Sequence, residues 1–244
     1  MSGALRTAIA LVAASLAGCA AWSAAAHDPG ALWKIVDQCV NTRSADYCAC
    51  DAFAGTCCGS PRMPDSDAVW AETPEFVAIR DIKMCGCPAG FVSGLAMPRT
   101  RVTGIEDPRR PDGIWPFAWS VALGKIANAG EIGLVINPRG ARTQNEMHVH
   151  IERLRPVGRA AIDATPDAAG HVHVEGAPPI TALELATLDR VFSDAVARVG
   201  EAGIGDTGIL VAARAGGGYR ALLTDGTSPE VLTESRCSSA AAAH

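Results

Sequence analysis

From Glu146 to Glu152 the chain reads Glu-Met-His-Val-His-Ile-Glu, a strict alternation of polar and apolar residues. Successive side chains of a β-strand leave opposite faces, so Glu146, His148, His150 and Glu152 share one face while Met147, Val149 and Ile151 share the other. One face is suited to a core and the other to chemistry. Two imidazoles two residues apart serve either as metal ligands or as a nucleophile with a supporting base, and on an exposed strand they would do neither. The spacing alone leaves these open.

The residues before the strand narrow the chemistry. Asn137-Pro138-Arg139-Gly140-Ala141-Arg142-Thr143-Gln144-Asn145 sets two guanidiniums and several short hydrogen-bonding side chains in a tight turn beside the histidines. Planar guanidinium forks match phosphate oxygens, so this is a phosphate-binding composition, with Asn137, Arg139, Arg142, Thr143, Gln144 and Asn145 as candidate ligands.

With these residues in hand, the stretch Asn137 to Pro156, together with Met97-Pro98 and Trp115-Pro116-Phe117, resembles the CDP-diacylglycerol pyrophosphatase family of the histidine-triad-like superfamily. The resemblance runs weakly from about Ala89 to Leu223 and is specific around Arg142-Thr143-Gln144 and His148-Val149-His150. It implies hydrolysis of CDP-diacylglycerol to CMP and phosphatidate, through attack of a histidine nitrogen on the phosphorus that carries the nucleoside. No cofactor or metal is implied, because arginines and amides can carry the phosphoryl charge. The superfamily pattern is His-apolar-His-apolar-His, with the middle histidine as nucleophile and a Gln commonly four residues before the first. Gln144 then makes His148 the first and His150 the nucleophile, with Glu152 replacing the third. The other register puts Glu146 first and His148 as nucleophile. A metal-binding protein using the HxH pairs, and a hydrolase or nucleotidyl transferase of soluble nucleotides, are the competing functions. His171-Val172-His173 repeats the pair, but Gly170 and Gly176 bracket it in what reads as a polar loop.

Around the site, 244 residues at 48% hydrophobic and 19% charged suit one globular core. A formal net charge of -5 offers no basic field for nucleic acid. Met1 to Ala26 reads as an export segment, with Leu16-Ala17-Gly18-Cys19 shaped as a lipoprotein signal and Ala24-Ala25-Ala26 as a plain cleavage site. An uncleaved anchor is the third outcome, and all three place the domain outside the cytoplasm: on the periplasmic face of a bacterial-type membrane if anchored by lipid at Cys19 or by the uncleaved segment, or secreted or free in the periplasm if cleaved. Of nine cysteines, Cys19 lies in that segment. Cys39, Cys48, Cys50, Cys57, Cys58, Cys85, Cys87 and Cys237 remain, an even set expected to form disulfides rather than a zinc cluster. The organisation is then 1–26 export or anchor, 27–88 a Cys-rich segment that reads as an insertion, and 89–237 the catalytic domain.

The elements follow from periodicity. A short helix is expected over Leu32 to Cys39, strands over Phe76 to Ile79 and Phe91 to Ala96, and an amphipathic helix from Trp115 to Ile126 with Pro116 in its first turn. Ile132 to Ile136 and Glu146 to Leu154 read as strands, and Ile209 to Ala213 and Tyr219 to Leu223 flank Gly216-Gly217-Gly218 as a hairpin. Thr181 and Glu184 form a capping-box pattern ahead of Leu185, Leu188, Phe192, Val196 and Val199, which predicts a second helix ending at Gly200. The class is α+β, a mainly antiparallel, histidine-triad-like sheet with flanking helices.

Overall fold

A computed structural model describes residues 28–41, 68–84 and 87–237. The export segment, Cys19, Cys48, Cys50, Cys57, Cys58 and Cys85 lie outside these residues. Among the described residues, nine strands form one antiparallel sheet: β1 (Val69–Glu72), β2 (Phe76–Arg80), β3 (Ser93–Pro98), β4 (Ile132–Ile136), β5 (Val149–Arg153), β6 (His171–Val172), β7 (Ile180–Leu185), β8 (Thr207–Ala213) and β9 (Tyr219–Asp225). Their spatial order is β1-β2-β3-β5-β4-β8-β9-β7-β6, which puts the histidine strand β5 between β3 and β4. The α+β class with a mainly antiparallel sheet holds.

Alternation decides which residues meet which cover. Ala96, Leu134, Met147, Val149, Ile151, Ile209, Val211 and Ala221 point to one face and join the main core. That face is covered by α2 (Ile114–Lys125) and α4 (Val191–Val199), where Trp115 and Phe192 meet edge to face at 5.2 Å. Pro116 is accepted in α2 because first-turn amides have no helical partner anyway. The opposite face carries two separate covers. Over β2 and β3, the short α1 (Ala31–Lys34) and the π-helical turn Ile35–Val40 bury Leu32, Val36 and Val40 against Val77, Ile79, Leu95 and Met97. Over β4, β8 and β9, α3 (Pro156–Asp163) and the turn Pro229–Leu232 bury Ala161, Ile162 and Leu232 against Val135, Leu210 and Leu222. His150 pairs in register with Leu95 on one side and Val135 on the other. The strand with the histidines therefore runs along the seam between the two covers.

The C-terminal segment is locked over this seam. Its Thr233 bridges Leu154, and the Leu232 carbonyl lies so close to Gly158 of α3 that a Cβ there would sit 2.1 Å from it. Only glycine permits that approach. The segment ends in a disulfide, Cys87–Cys237, which closes 150 residues of chain and ties it to the turn after Ile82–Met84. Cys39 is also disulfide-bonded.

The predicted helix at Thr181 is corrected. Residues 180–185 form β7, paired with β9 from Thr181↔Leu223 to Leu185↔Tyr219, and the helix begins only at Val191. Glu184 does not cap it; its carboxylate receives the buried Arg220 instead. The cap comes from Asp112, whose carboxylate accepts the backbone amides of Phe192 at 2.6 Å and Ser193 at 3.3 Å. The sequence reading also leaves out α3, whose start at Pro156 uses a fixed φ and a missing amide to advantage.

Candidate active site

His148, His150 and Glu152 emerge from β5 into the seam, all of them buried. The histidine rings meet edge to face at 4.8 Å. His148 Nδ1 donates to the Glu146 backbone carbonyl at 2.7 Å, which fixes the proton on Nδ1 and leaves the lone pair on Nε2. His150 Nε2 lies 3.2 Å from Glu230 Oε1 and 3.4 Å from Asn137 Nδ2. Its Nδ1 makes no hydrogen bond and faces Glu152 Oε1 at 3.7 Å.

Two segments distant in sequence complete the site. From the turn after β2 come Asp81 and Lys83, and from the C-terminal segment come Ser228, Glu230 and Thr233. Lys83 Nζ is 3.1 Å from Glu230, 3.8 Å from Asp81 and 3.9 Å from Glu152. Ser228 Oγ donates to Asn137 Oδ1 at 2.6 Å, which turns the Asn137 amide so that its NH2 donates to Glu230 Oε1 at 2.5 Å. Thr233 Oγ donates to Glu152 Oε2 at 2.5 Å. These groups carry no motif spacing; Lys83 and Glu230 are 147 residues apart. Only the polar alternation of β5 points toward them.

Burial sets the protonation states. It pulls His150 well below its ordinary value, reinforced by His148 and Lys83, and it lowers His148 against the pull of the Glu146 carbonyl. Both imidazoles are therefore neutral near pH 7, the form with a lone pair to offer. Burial, with Glu230 nearby, pushes Glu152 up to about 7. Burial likewise takes Glu146 up to about 8, against the hydrogen bond from the Val102 amide. Burial pulls Lys83 down, but Asp81, Glu230 and Glu152 outweigh it and leave Lys83 above its ordinary value.

The predicted phosphate ligands divide. Asn137 touches His150, and Arg142 lines one small cavity with Asn137, Gly104 and His148. Arg142 is 8% exposed and grips Glu106 through both guanidinium nitrogens, at 2.6 and 2.5 Å. Arg139 pairs with Asp206 on the surface. Gln144 accepts the Leu32 amide and donates to the Asp28 carbonyl, while the Asn145 amide donates to the Pro29 carbonyl. These two fasten the N-terminal cover beside the seam. Thr143 stands between Arg142 and Gln144 in the turn that carries them. His171 lies on β6, with β4, β8, β9 and β7 between it and β5. The two histidine pairs therefore do not converge, and His173 Nε2 donates to the Asp167 carboxylate at 2.8 Å.

Residues 87–172 match the family model of CDP-diacylglycerol pyrophosphatase. The resemblance read from Arg142-Thr143-Gln144 and His148-Val149-His150 holds over that stretch. Proteins named CDP-diacylglycerol pyrophosphatase from Mycobacterium tuberculosis and Mycobacterium bovis are each 33% identical to this chain over 78 residues. A second Mycobacterium bovis protein, named a probable CDP-diacylglycerol pyrophosphatase, is equally similar. Each match covers 28% of this chain and 30% of the relative, so the chain spans less than a third of the length of the curated relatives it matches. The CDP-diacylglycerol pyrophosphatase match takes in Asn137, Arg142, His148 and His150; Asp81, Lys83, Ser228 and Glu230 stand outside it.

Proposed function

We propose that this protein hydrolyses the diphosphate of CDP-diacylglycerol to CMP and phosphatidate. The observation that carries the reading is a neutral His150 imidazole whose Nε2 meets Asn137 at the end of β4, on a strand within the CDP-diacylglycerol pyrophosphatase match. In this mechanism His150 Nε2 attacks the phosphorus bearing cytidine. The N–P bond forms as the P–O bond to phosphatidate breaks, and water then cleaves the N–P bond to release CMP and restore the imidazole. His148, with its tautomer fixed by Glu146, packs against the His150 ring and holds it in line. Asn137 and the Arg142 fork offer donors to the charged oxygens in a site shielded from water. We place this activity on the periplasmic side of a membrane, a compartment in which the Cys87–Cys237 bond persists.

The test is an assay of purified protein on CDP-diacylglycerol in mixed micelles, with and without chelator. Equal release of CMP and phosphatidate, unchanged by chelator, is the expected result. Release of CDP and diacylglycerol, or no turnover at all, would overturn the reading.

A further inference from the structure

We propose that Lys83, Asn137 and His150 form a binding site for a phosphoryl group of the substrate, and that the Glu230 carboxylate holds this site in the unliganded protein. The proposal rests on the diphosphate chemistry above and adds a cation and a displaceable anion to it.

Two donors, Lys83 and Asn137, and the ring nitrogen of His150 converge from three separate segments on one carboxylate. Glu230 receives the Asn137 amide at 2.5 Å and the Lys83 ammonium at 3.1 Å, and its Oε1 lies 3.2 Å from His150 Nε2. Ser228 orients the set: its hydroxyl accepts the Glu230 backbone amide at 3.1 Å and donates to Asn137 Oδ1. A carboxylate and a phosphoryl group offer the same thing to such donors, negatively charged oxygens that accept charge-assisted hydrogen bonds. Lys83 supplies a compact cation of the kind that binds phosphate as a point charge.

Charge explains why the carboxylate must leave. Lys83 pairs at once with Asp81, Glu152 and Glu230, three carboxylates to one ammonium. A diphosphate entering while Glu230 stays would face net negative charge at short range, where a like charge is strongly unfavourable. Departure needs only a side-chain rotation. The segment itself is pinned at Leu232 and Thr233, but Glu230 also borders an open cleft of about 730 Å³ shared with Arg155, Val231 and Arg236.

The exchange also arms the nucleophile. With Glu230 in place, its Oε1 stands 3.2 Å from His150 Nε2, where the phosphorus has to come, so the lone pair has no access to substrate. Once Glu230 swings away, Nε2 is open to the phosphorus, and the ring proton stays on Nδ1, the nitrogen that faces Glu152. Substrate entry and activation of Nε2 become one event.

Titration calorimetry of the full, oxidised protein with inorganic pyrophosphate, and separately with CMP, tests this without turnover. Glu230→Gln keeps the shape and removes the charge, and is expected to tighten pyrophosphate binding about tenfold. Lys83→Met should weaken it by a similar factor and Lys83→Arg should recover part of the loss, with thermal melts confirming that each variant is folded. In kinetics, Glu230→Gln should lower KM for CDP-diacylglycerol more than it changes kcat. Unchanged or weaker pyrophosphate binding by Glu230→Gln overturns the proposal, as does unchanged binding by Lys83→Met. Because pyrophosphate binding needs no hydrolysis, a protein that binds as expected yet fails to cleave CDP-diacylglycerol refutes the hydrolase reading alone. A protein that cleaves it while Glu230→Gln binds no tighter refutes only the displaceable carboxylate.

Discussion

His150 Nδ1 and Glu152 Oε1 face each other at 3.7 Å inside the sheet seam, and neither makes a hydrogen bond. Two buried polar atoms left this way each cost about 1–3 kcal/mol unless a proton is shared between them. Glu152, pushed up to about 7 by burial and by Glu230 nearby, is partly ionised at neutral pH, and its ionised form can accept the Nδ1 proton of His150. The pair thus sets which nitrogen of His150 is protonated, without a direct contact to substrate.

A pH dependence of stability follows. Glu152 binds its proton more tightly folded than unfolded, about 7 against 4.5, so its contribution favours folding at low pH. That contribution is complete below pH 4.5 and is lost as pH rises through 7, amounting to at most about 3 kcal/mol. Glu152→Gln should therefore lie close to the wild type in thermal melts at pH 5 and gain on it progressively toward pH 8. Parallel melting curves across this range would remove the role assigned to burial of Glu152.

Arg142 supplies a second prediction. Its guanidinium is held in place by both oxygens of Glu106, a carboxylate that burial pushes up but Arg142 keeps below its ordinary value. A lysine cannot span both oxygens and still point a donor at the cavity shared with Asn137 and His148. Arg142→Ala and Arg142→Lys should each lower kcat/KM about tenfold to a hundredfold, and Glu106→Gln should lower it less. If Arg142→Lys retains wild-type kcat/KM, the fork is not what the reaction uses.

Much of this arrangement was legible because short-range rules operate where elements are regular. Ile132 to Ile136, the hairpin around Gly216-Gly217-Gly218 and the split faces of the histidine strand follow from period-two patterning. Where tertiary partners overrode local signals, the reading failed. Thr181 and Glu184 look like a helix cap, yet pairing with β9 and the buried Arg220 draw them into a strand, while the true cap, Asp112, lies about 80 residues upstream. Gln144 stands beside two arginines, and no local pattern announces that its amide also fastens Asp28 and Leu32 of the N-terminal cover. Lys83 and Glu230 have no local pattern, because what joins them is the folding of two distant segments over one seam.

The Cys87–Cys237 bond joins those two segments. Lys83 lies four residues before Cys87, and Glu230 lies on the segment that ends at Cys237, so the covalent tie holds together both ends of the Lys83–Glu230 ion pair. A native disulfide contributes about 2–4 kcal/mol, mainly by restricting the unfolded chain. Cys87→Ser with Cys237→Ser should lower Tm by several degrees and, assayed well below that Tm, should raise KM for CDP-diacylglycerol through a looser Lys83. A double variant with lower Tm and unchanged KM would limit the bond to a structural role.

The sharpest prediction concerns which imidazole attacks. His148 and His150 leave the same face of β5 with rings 4.8 Å apart, so both reach the seam, but their surroundings differ. His148 is anchored through Nδ1 to the Glu146 carbonyl, whereas His150 Nε2 meets the donors and the anion that gather at Asn137 and Glu230. A phosphoryl group displacing Glu230 would meet Nε2 of His150 at the distance an attack requires. His150→Ala should therefore abolish turnover, while His148→Ala should leave a residual rate about a hundredfold or more below wild type, because a supporting ring matters less than the attacking atom. Circular dichroism and melting checks keep folding apart from chemistry. Quenching a single turnover of radiolabelled substrate without acid, followed by mass spectrometry, should find CMP on His150. Label on His148 would move the nucleophile by one register. A complete lack of covalent label, together with activity lost to chelator, would replace the histidine intermediate with a metal-activated water.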